Sequence, residues 1–209
     1  MKKTLLLIGI FLLSLSSYGQ DSQVDFGIKG GLNYSSFIDN NDDDIPAEYK
    51  GKIGFQIGGF VEFGISEKIS IRPELLYSQQ GSVFTMNGGD FNIFDPNDDI
   101  IISSINGEIK ESLLLLPFIV EYRLSETFNL EFGPQFGYSL NRVVELDTNP
   151  LGGGFIRNDD KEKFELGLGL GVGYSLSDDL GIYLRYNYGV IERQNLNTSV
   201  IQLGMNYKL

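Results

Sequence analysis

The chain contains no cysteine and no histidine, and only 6 prolines among its 209 residues. Without cysteine there is neither a disulfide framework nor an N-terminal thiol to carry a lipid anchor. Without histidine, the side chain whose pKa lies nearest neutrality is missing, and with it the general base that membrane hydrolases and acyltransferases pair with a nucleophile. What remains for catalysis is carboxylate chemistry or a Ser–Lys pair, and no spacing signals either. Positive charge is scarce as well, 16 Lys+Arg against 28 Asp+Glu. That balance excludes nucleic acid held through its phosphates.

Long apolar runs are equally rare. The stretch Leu5 to Leu15 falls short of the ~20 residues of a spanning helix. It follows Lys2 and Lys3 and precedes Ser17-Tyr18-Gly19-Gln20, the pattern of an export signal cut after Gly19. Residues 1–19 are therefore expected to be removed, leaving 20–209 as one domain with a net charge of 14 − 28 = −14.

Present in quantity are 26 Gly, 15 Phe and 11 Tyr, a balance that favours strands and tight turns. Apolar residues recur at every second position, the strand period. In one segment Ile53, Phe55, Ile57, Gly59, Val61, Phe63 and Ile65 share one face, and Lys52, Gly54, Gln56, Gly58, Phe60, Glu62 and Gly64 share the other. Similar alternation at 24–34, 69–80, 128–140, 164–176, 180–189 and 199–209, with a less regular segment at 109–123 whose odd positions face inward, predicts eight strands. Three connections are tight, at Ser66-Glu67-Lys68, Ser125-Glu126-Thr127 and Ser177-Asp178-Asp179, and four are longer, at 35–51, 81–108, 141–163 and 190–198. Alternating short turns and long loops describe a meander whose short turns face the periplasm. The runs are longer than the ~5–6 residues of ordinary strands, and aromatic rings such as Tyr34, Tyr138 and Tyr207 stand near the ends of the apolar face. The expected fold class is all-β, an eight-stranded antiparallel up-and-down transmembrane β-barrel whose last strand pairs with its first, because lipid leaves no free sheet edge.

The stretches Phe26 to Ser35, Arg72 to Gly81, Leu116 to Tyr122, Gly133 to Gly137 and Leu203 to Leu209 resemble the PorT-like outer-membrane β-barrel family of Bacteroidetes over essentially the whole mature chain. The resemblance implies a small barrel in a Gram-negative outer membrane, in contact with lipid and lipopolysaccharide. The family's namesake takes part in protein secretion, which makes a secretion-assembly component one implied role.

Gly167, Gly169, Gly171 and Gly173 repeat with period two inside a strand and open no helix, so the dinucleotide-binding reading fails. As inward glycines they leave room for Tyr183 and Arg185 of the next strand. The inward face carries Lys29, Arg72, Arg123, Arg185 and Lys208 against Glu62, Glu74, Glu121, Glu131 and Glu165. Across the first short turn Glu62 opposes Arg72, and across the second Glu121 opposes Glu131. Two facing carboxylates need a cation between them, for which Arg72, Arg123 and Arg185 are the candidates. The expected lumenal charge network is thus Glu62, Arg72, Glu121, Arg123, Glu131 and Arg185. It reads first as ion pairs filling a barrel that encloses little more than side chains, and second as an ion-conducting gate.

The acidic surplus sits in the long loops, at Asp39 to Asp44, Asp95 to Asp99, Asp147 and Asp159-Asp160. Weak binding of a divalent cation there is the metal expectation, since Gly-6 and Glu-12 of a calcium loop are not matched. No cofactor is expected. The leading function is a non-enzymatic scaffold that meets a protein partner through its loops or periplasmic rim, and the alternative is a narrow channel or secretion-assembly component.

Overall fold

The computed structural model describes residues 24–40, 47–95, 98–146, 155–157 and 162–209, the side chains of 87–105 and 155–157 excepted. The export signal expected at 1–19 and the loop acids Asp42 to Asp44, Asp147, Asp159 and Asp160 lie outside the described residues. In chain order the strands are β1 Val24–Asp39, β2 Ala47–Gly64, β3 Ile69–Asp95, β4 Asp98–Arg123, β5 Phe128–Leu146, β6 Phe155–Arg157, β7 Phe164–Ser175, β8 Leu180–Gly189 and β9 Leu196–Lys208.

All pairings are antiparallel. Eight strands form the ring, β5 pairing directly with β7 and β9 returning to β1, while β6 adds a short ribbon to the far part of β5. Closure satisfies the backbone of every ring strand against a neighbour, which is what permits a sheet to stand in lipid. Paired residues can be followed around the ring from Val24 through Phe63, Ile71, Val120, Phe132, Leu170, Tyr186 and Ile201 back to Tyr34. The path returns 34 − 24 = 10 residues along β1, the stagger that obliges the strands to tilt.

Alternation sorts the side chains as the period-two pattern requires. Phe26, Ile28, Leu32, Ile57, Phe132, Leu168, Leu170 and Leu203 are exposed on the outside, an apolar belt of the kind a membrane-spanning barrel turns toward lipid. Tyr34, Phe55, Tyr138, Phe164 and Tyr186 ring the upper margin, and Tyr122, Phe128, Tyr174 and Tyr207 the lower. Inside are Lys29, Gln56, Arg72, Glu74, Glu131, Arg185 and Gln202, all buried. The irregular apolar stretch of β4 has a simple cause. Leu113 and Leu115 join Leu76 in a buried lumenal cluster, while Leu114, Leu116 and Phe118 face out.

The three tight turns share one design. The amides of Ile69, Phe128 and Leu180 each donate to the hydroxyl of the serine three residues earlier, Ser66, Ser125 and Ser177, all at 3.1 Å. Each serine thereby pins a turn. The far side departs from expectation, because strands run on into segments read as loops. β1 reaches Asp39, β5 reaches Leu146, and β3 and β4 pair onward from Met86 and Ile105 out to Asp95 and Asp98, with a shift of register between Asn87 and Phe91. A two-stranded ladder needs only mutual backbone pairing to persist, so apolar alternation, which reports burial, stops before the strands do.

Candidate functional site

Turn geometry brings the first partners together. β2 and β3 leave the turn at Ser66 in a register that sets Arg72 Nη2 2.9 Å from Glu62 Oε2. One strand further, Glu121 and Glu131 are direct partners of β4 and β5. The cation between these facing carboxylates is Arg72, with Nη2 at 2.5 Å from Glu121 and Nη1 at 3.4 Å from Glu131. Arg185 arrives from the opposite wall, its Nε and Nη2 at 3.0 and 2.6 Å from Glu131 Oε2. Its Nη1 and Nη2 also meet the two oxygens of Glu74 at 3.0 and 2.9 Å, the fork arrangement that a planar guanidinium favours. Lys29 reaches Glu74 at 2.8 Å and lies 3.7 Å over the Tyr183 ring. Lys208 extends the chain of contacts to Glu62 and to Asp25 at the mouth.

Glu62, Arg72, Glu121, Glu131 and Arg185 thus converge, and Glu74 and Lys29 stand with them. Arg123 does not. It is exposed below the end of the wall and donates to the Glu67 carbonyl at 3.1 Å, because the inward parity of β4 carries it past the lumen into the turn region. The glycine expectation divides similarly. Arg185 lies across Gly169 and Gly171, where an added Cβ would meet its Cδ at 3.4 Å and its Cβ at 3.1 Å. Tyr183 leans the other way, its hydroxyl 2.5 Å from where a Cβ of Gly204 would stand, and Asn129 covers Gly173. The reason is a partner across the lumen, since Gln56 Nε2 donates to the Tyr183 hydroxyl at 2.7 Å.

A second cluster closes the other end. Arg193 Nη1 and Nη2 meet Glu111 at 2.6 and 3.0 Å, and Nη2 meets Glu165 at 2.6 Å, all three residues buried. Arg193 belongs to the loop between β8 and β9. Its side chain turns back into the barrel because Arg193 and Leu196 pair across Gln194 and Asn195, both at positive φ (54° and 62°), as a two-residue hairpin of primed type demands. Phe37, Phe84, Ile109 and Leu196 form a buried apolar cap beyond it. Only Glu165 and the parity of Glu111 hinted at this cluster in the sequence.

Below the network the lumen opens toward the tight turns as a cavity of about 820 Å³. Arg72, Glu121 and Glu131 form its inner end, and Glu67, Glu126, Asp178 and Asp179 stand at its rim. Among the described residues, no group of three metal-ligating side chains is assembled.

A sequence model of the outer membrane protein beta-barrel domain family matches residues 18–195. No curated protein matches the chain by sequence. Among solved structures it is similar to Ail, the attachment invasion locus protein of Yersinia pestis, at 13% identity and a TM-score of 0.53, over 90% of this chain and 99% of that one. It is similar to neisserial surface protein A at 12% identity and a TM-score of 0.53, over 90% of this chain and 99% of the other. These are likenesses of fold.

Proposed function

The chain belongs to the outer membrane protein beta-barrel domain family and is an integral outer-membrane barrel, within which we propose that it is a non-enzymatic scaffold presenting a strand ribbon to another macromolecule. The observation that carries this reading is the β3–β4 ribbon. The last pairings to its neighbours are Ala47 with Met86 and Gly107 with Leu146, yet β3 and β4 pair with each other out to Asp95 and Asp98. The nine residues from Asn87 to Asp95 extend about 30 Å at strand rise. Among the described residues both outer edges of that ribbon lack a strand partner, and an unpaired edge is a template for an added strand.

The filled lumen supports the scaffold over the narrow channel. Charged, apolar and again charged groups occupy successive levels, from Arg72–Glu131–Arg185 through Leu76–Leu113–Leu115 to Arg193–Glu111–Glu165. The absence of histidine from the sequence supports a non-enzymatic role. Cleavage of residues 1–19 and contact with lipopolysaccharide complete the reading, supported by the export pattern and by the belt with its aromatic margins. The segments from Phe26 and Arg72 support membership of the PorT-like subset, in a Gram-negative host.

Two measurements test it. A variant in which Asn-Gly replaces residues 88–103 should still insert as a heat-modifiable barrel and should lose the cross-linked partner that the full chain carries out of native membranes. In a planar bilayer the purified protein should give no conductance steps. Regular steps would transfer the assignment to the channel.

A further inference from the structure

Among the described residues the β3–β4 ribbon has two free edges, and they differ. On β3 the pairing shifts register between Asn87 and Phe91, so that Gly88, Gly89 and Asp90 stand against the single residue Ser103 of β4. A bulge of this kind twists an edge and interrupts the row of groups it offers. β4 has no such break. From Asp98 to Asn106 it runs about 30 Å at strand rise, and its pairing with β5 begins only at Gly107. Alternate residues along that stretch turn both N–H and C=O to the open side.

The stretch reads Asp98-Asp99-Ile100-Ile101-Ile102-Ser103-Ser104-Ile105-Asn106. Its isoleucines favour strand pairing, and it contains neither lysine nor proline, the residues that blunt an edge. Directly paired residues share a face of a ribbon, so Phe91 with Ile102 and Ile93 with Ile100 place apolar residues of both strands on one face. Two strands alone bury little of such a face, and a third beside β4 extends it. At the tip the charge is of one sign, with Asp95 opposite Asp98 and Asp99 one position nearer the barrel.

We propose that the β4 edge takes an extended segment of a different polypeptide as an antiparallel third strand, apolar at alternate positions and basic at its C-terminal end. The antiparallel ladder is the more stable arrangement. Because β4 runs inward from its tip, the added segment runs outward and ends beside Asp98 and Asp99, which favour a basic end. A second copy in the same membrane does not fit. Its twofold axis would lie along the membrane normal, so both ribbons would point the same way and each β4 residue would meet its own counterpart, N–H against N–H. The added strand presupposes the scaffold role of the ribbon and names the kind of partner that role serves.

The probe is a fluorescent octapeptide that alternates valine and threonine and ends in a lysine pair, titrated into the full protein in nanodiscs. Two further versions carry N-methyl groups on alternate residues, each version blocking one edge of the peptide. Saturable binding is expected, abolished by one methylation pattern and kept by the other, because a third strand pairs through one edge only. The chain has no cysteine, so Ile101→Cys and Asn92→Cys, direct partners on the two strands, report which edge is used. A strand beside β4 lies about 4.8 Å from position 101 and about twice that from position 92, beyond the ~7 Å reach of a disulfide. A peptide with a central cysteine should therefore be captured by Ile101→Cys and escape Asn92→Cys. No saturation, equal effects of the two methylation patterns, preferential capture by Asn92→Cys, or a disulfide-linked dimer of Ile101→Cys each overturns the proposal and leaves the scaffold role standing. A native partner retained after replacement of residues 88–103 would instead remove the scaffold role itself.

Discussion

The two ends of this barrel are closed by different means. At the turn side, short pinned connections hold a register in which charges from six strands, β1, β2, β3, β4, β5 and β8, meet in one network open to a vestibule. At the far side, the loop residue Arg193 clasps Glu111 of β4 and Glu165 of β7 beneath an apolar cap, with Arg142 of β5 over the Phe37 ring. The first closure belongs to the wall and the second hangs from a loop. Breaking the first should disturb the whole ring, whereas breaking the second should loosen one end.

The largest expected effect is therefore Arg185→Ala. It leaves Glu74 with Lys29 alone and Glu131 with only the 3.4 Å contact to Arg72, in a recess where Arg185 itself is wholly buried. Removing one side of a buried pair costs about 3–5 kcal/mol, which equilibrium unfolding in micelles would register. Arg193→Ala should fall at the lower end of that range, about 3 kcal/mol, because a loop relaxes more readily than a wall. Protease sensitivity of the far loops should rise with it and should stay unchanged in Arg185→Ala. Equal patterns in the two variants would erase the distinction between the ends.

A finer comparison lies within the network. Arg72→Ala should destabilise, and Arg72→Ala with Glu62→Ala should recover about 1 kcal/mol or more of the loss, since Glu62 loses its nearest cation only in the single variant. Additivity across that cycle would mean the 2.9 Å contact carries no coupling. The smallest effect belongs above the upper aromatic margin, where Lys52, Glu108, Lys110 and Glu145 form a partly exposed ladder. Hydrogen bonds from Lys110, and then Lys52, hold the Glu108 carboxyl down at about 2. Because the folded value is the lower one, this contribution is complete above the ordinary carboxylate range and disappears as pH falls through about 2. Lys110→Ala should cost no more than ~1 kcal/mol, vanishing in high salt.

The same contrast governs what could be read from residues alone. Period-two alternation and three short turns specify strand parity and neighbours near the turns, so Glu62 with Arg72 and Glu121 with Glu131 follow from counting. Counting stops where contacts cross the lumen. Lys29 on β1 meets Glu74 on β3, and Arg185 on β8 meets the same Glu74, because a ten-residue stagger tilts non-neighbouring strands to a common depth. Parity also does not say where a wall ends, which is why Arg123 carries an inward pattern and an exposed side chain. Arg193 was hidden for a third reason, since its direction depends on two positive-φ residues, Gln194 and Asn195, rather than on any period.

The seam between β1 and β9 is an ordinary ladder, with Gly27 opposite Lys208 and Leu32 opposite Leu203, and the Leu209 amide donates to the Phe26 carbonyl at 2.8 Å. The start of β1 and the end of β9 therefore sit on the rim that holds the three pinned turns. Among the described residues, β9 and β1 differ from the strand pairs at those turns only in having no turn between them. Circular permutation, joining the ends through a short linker and cutting at Ser125 to Thr127, preserves every strand pairing and every lumenal contact. The closed cylinder itself has no first strand.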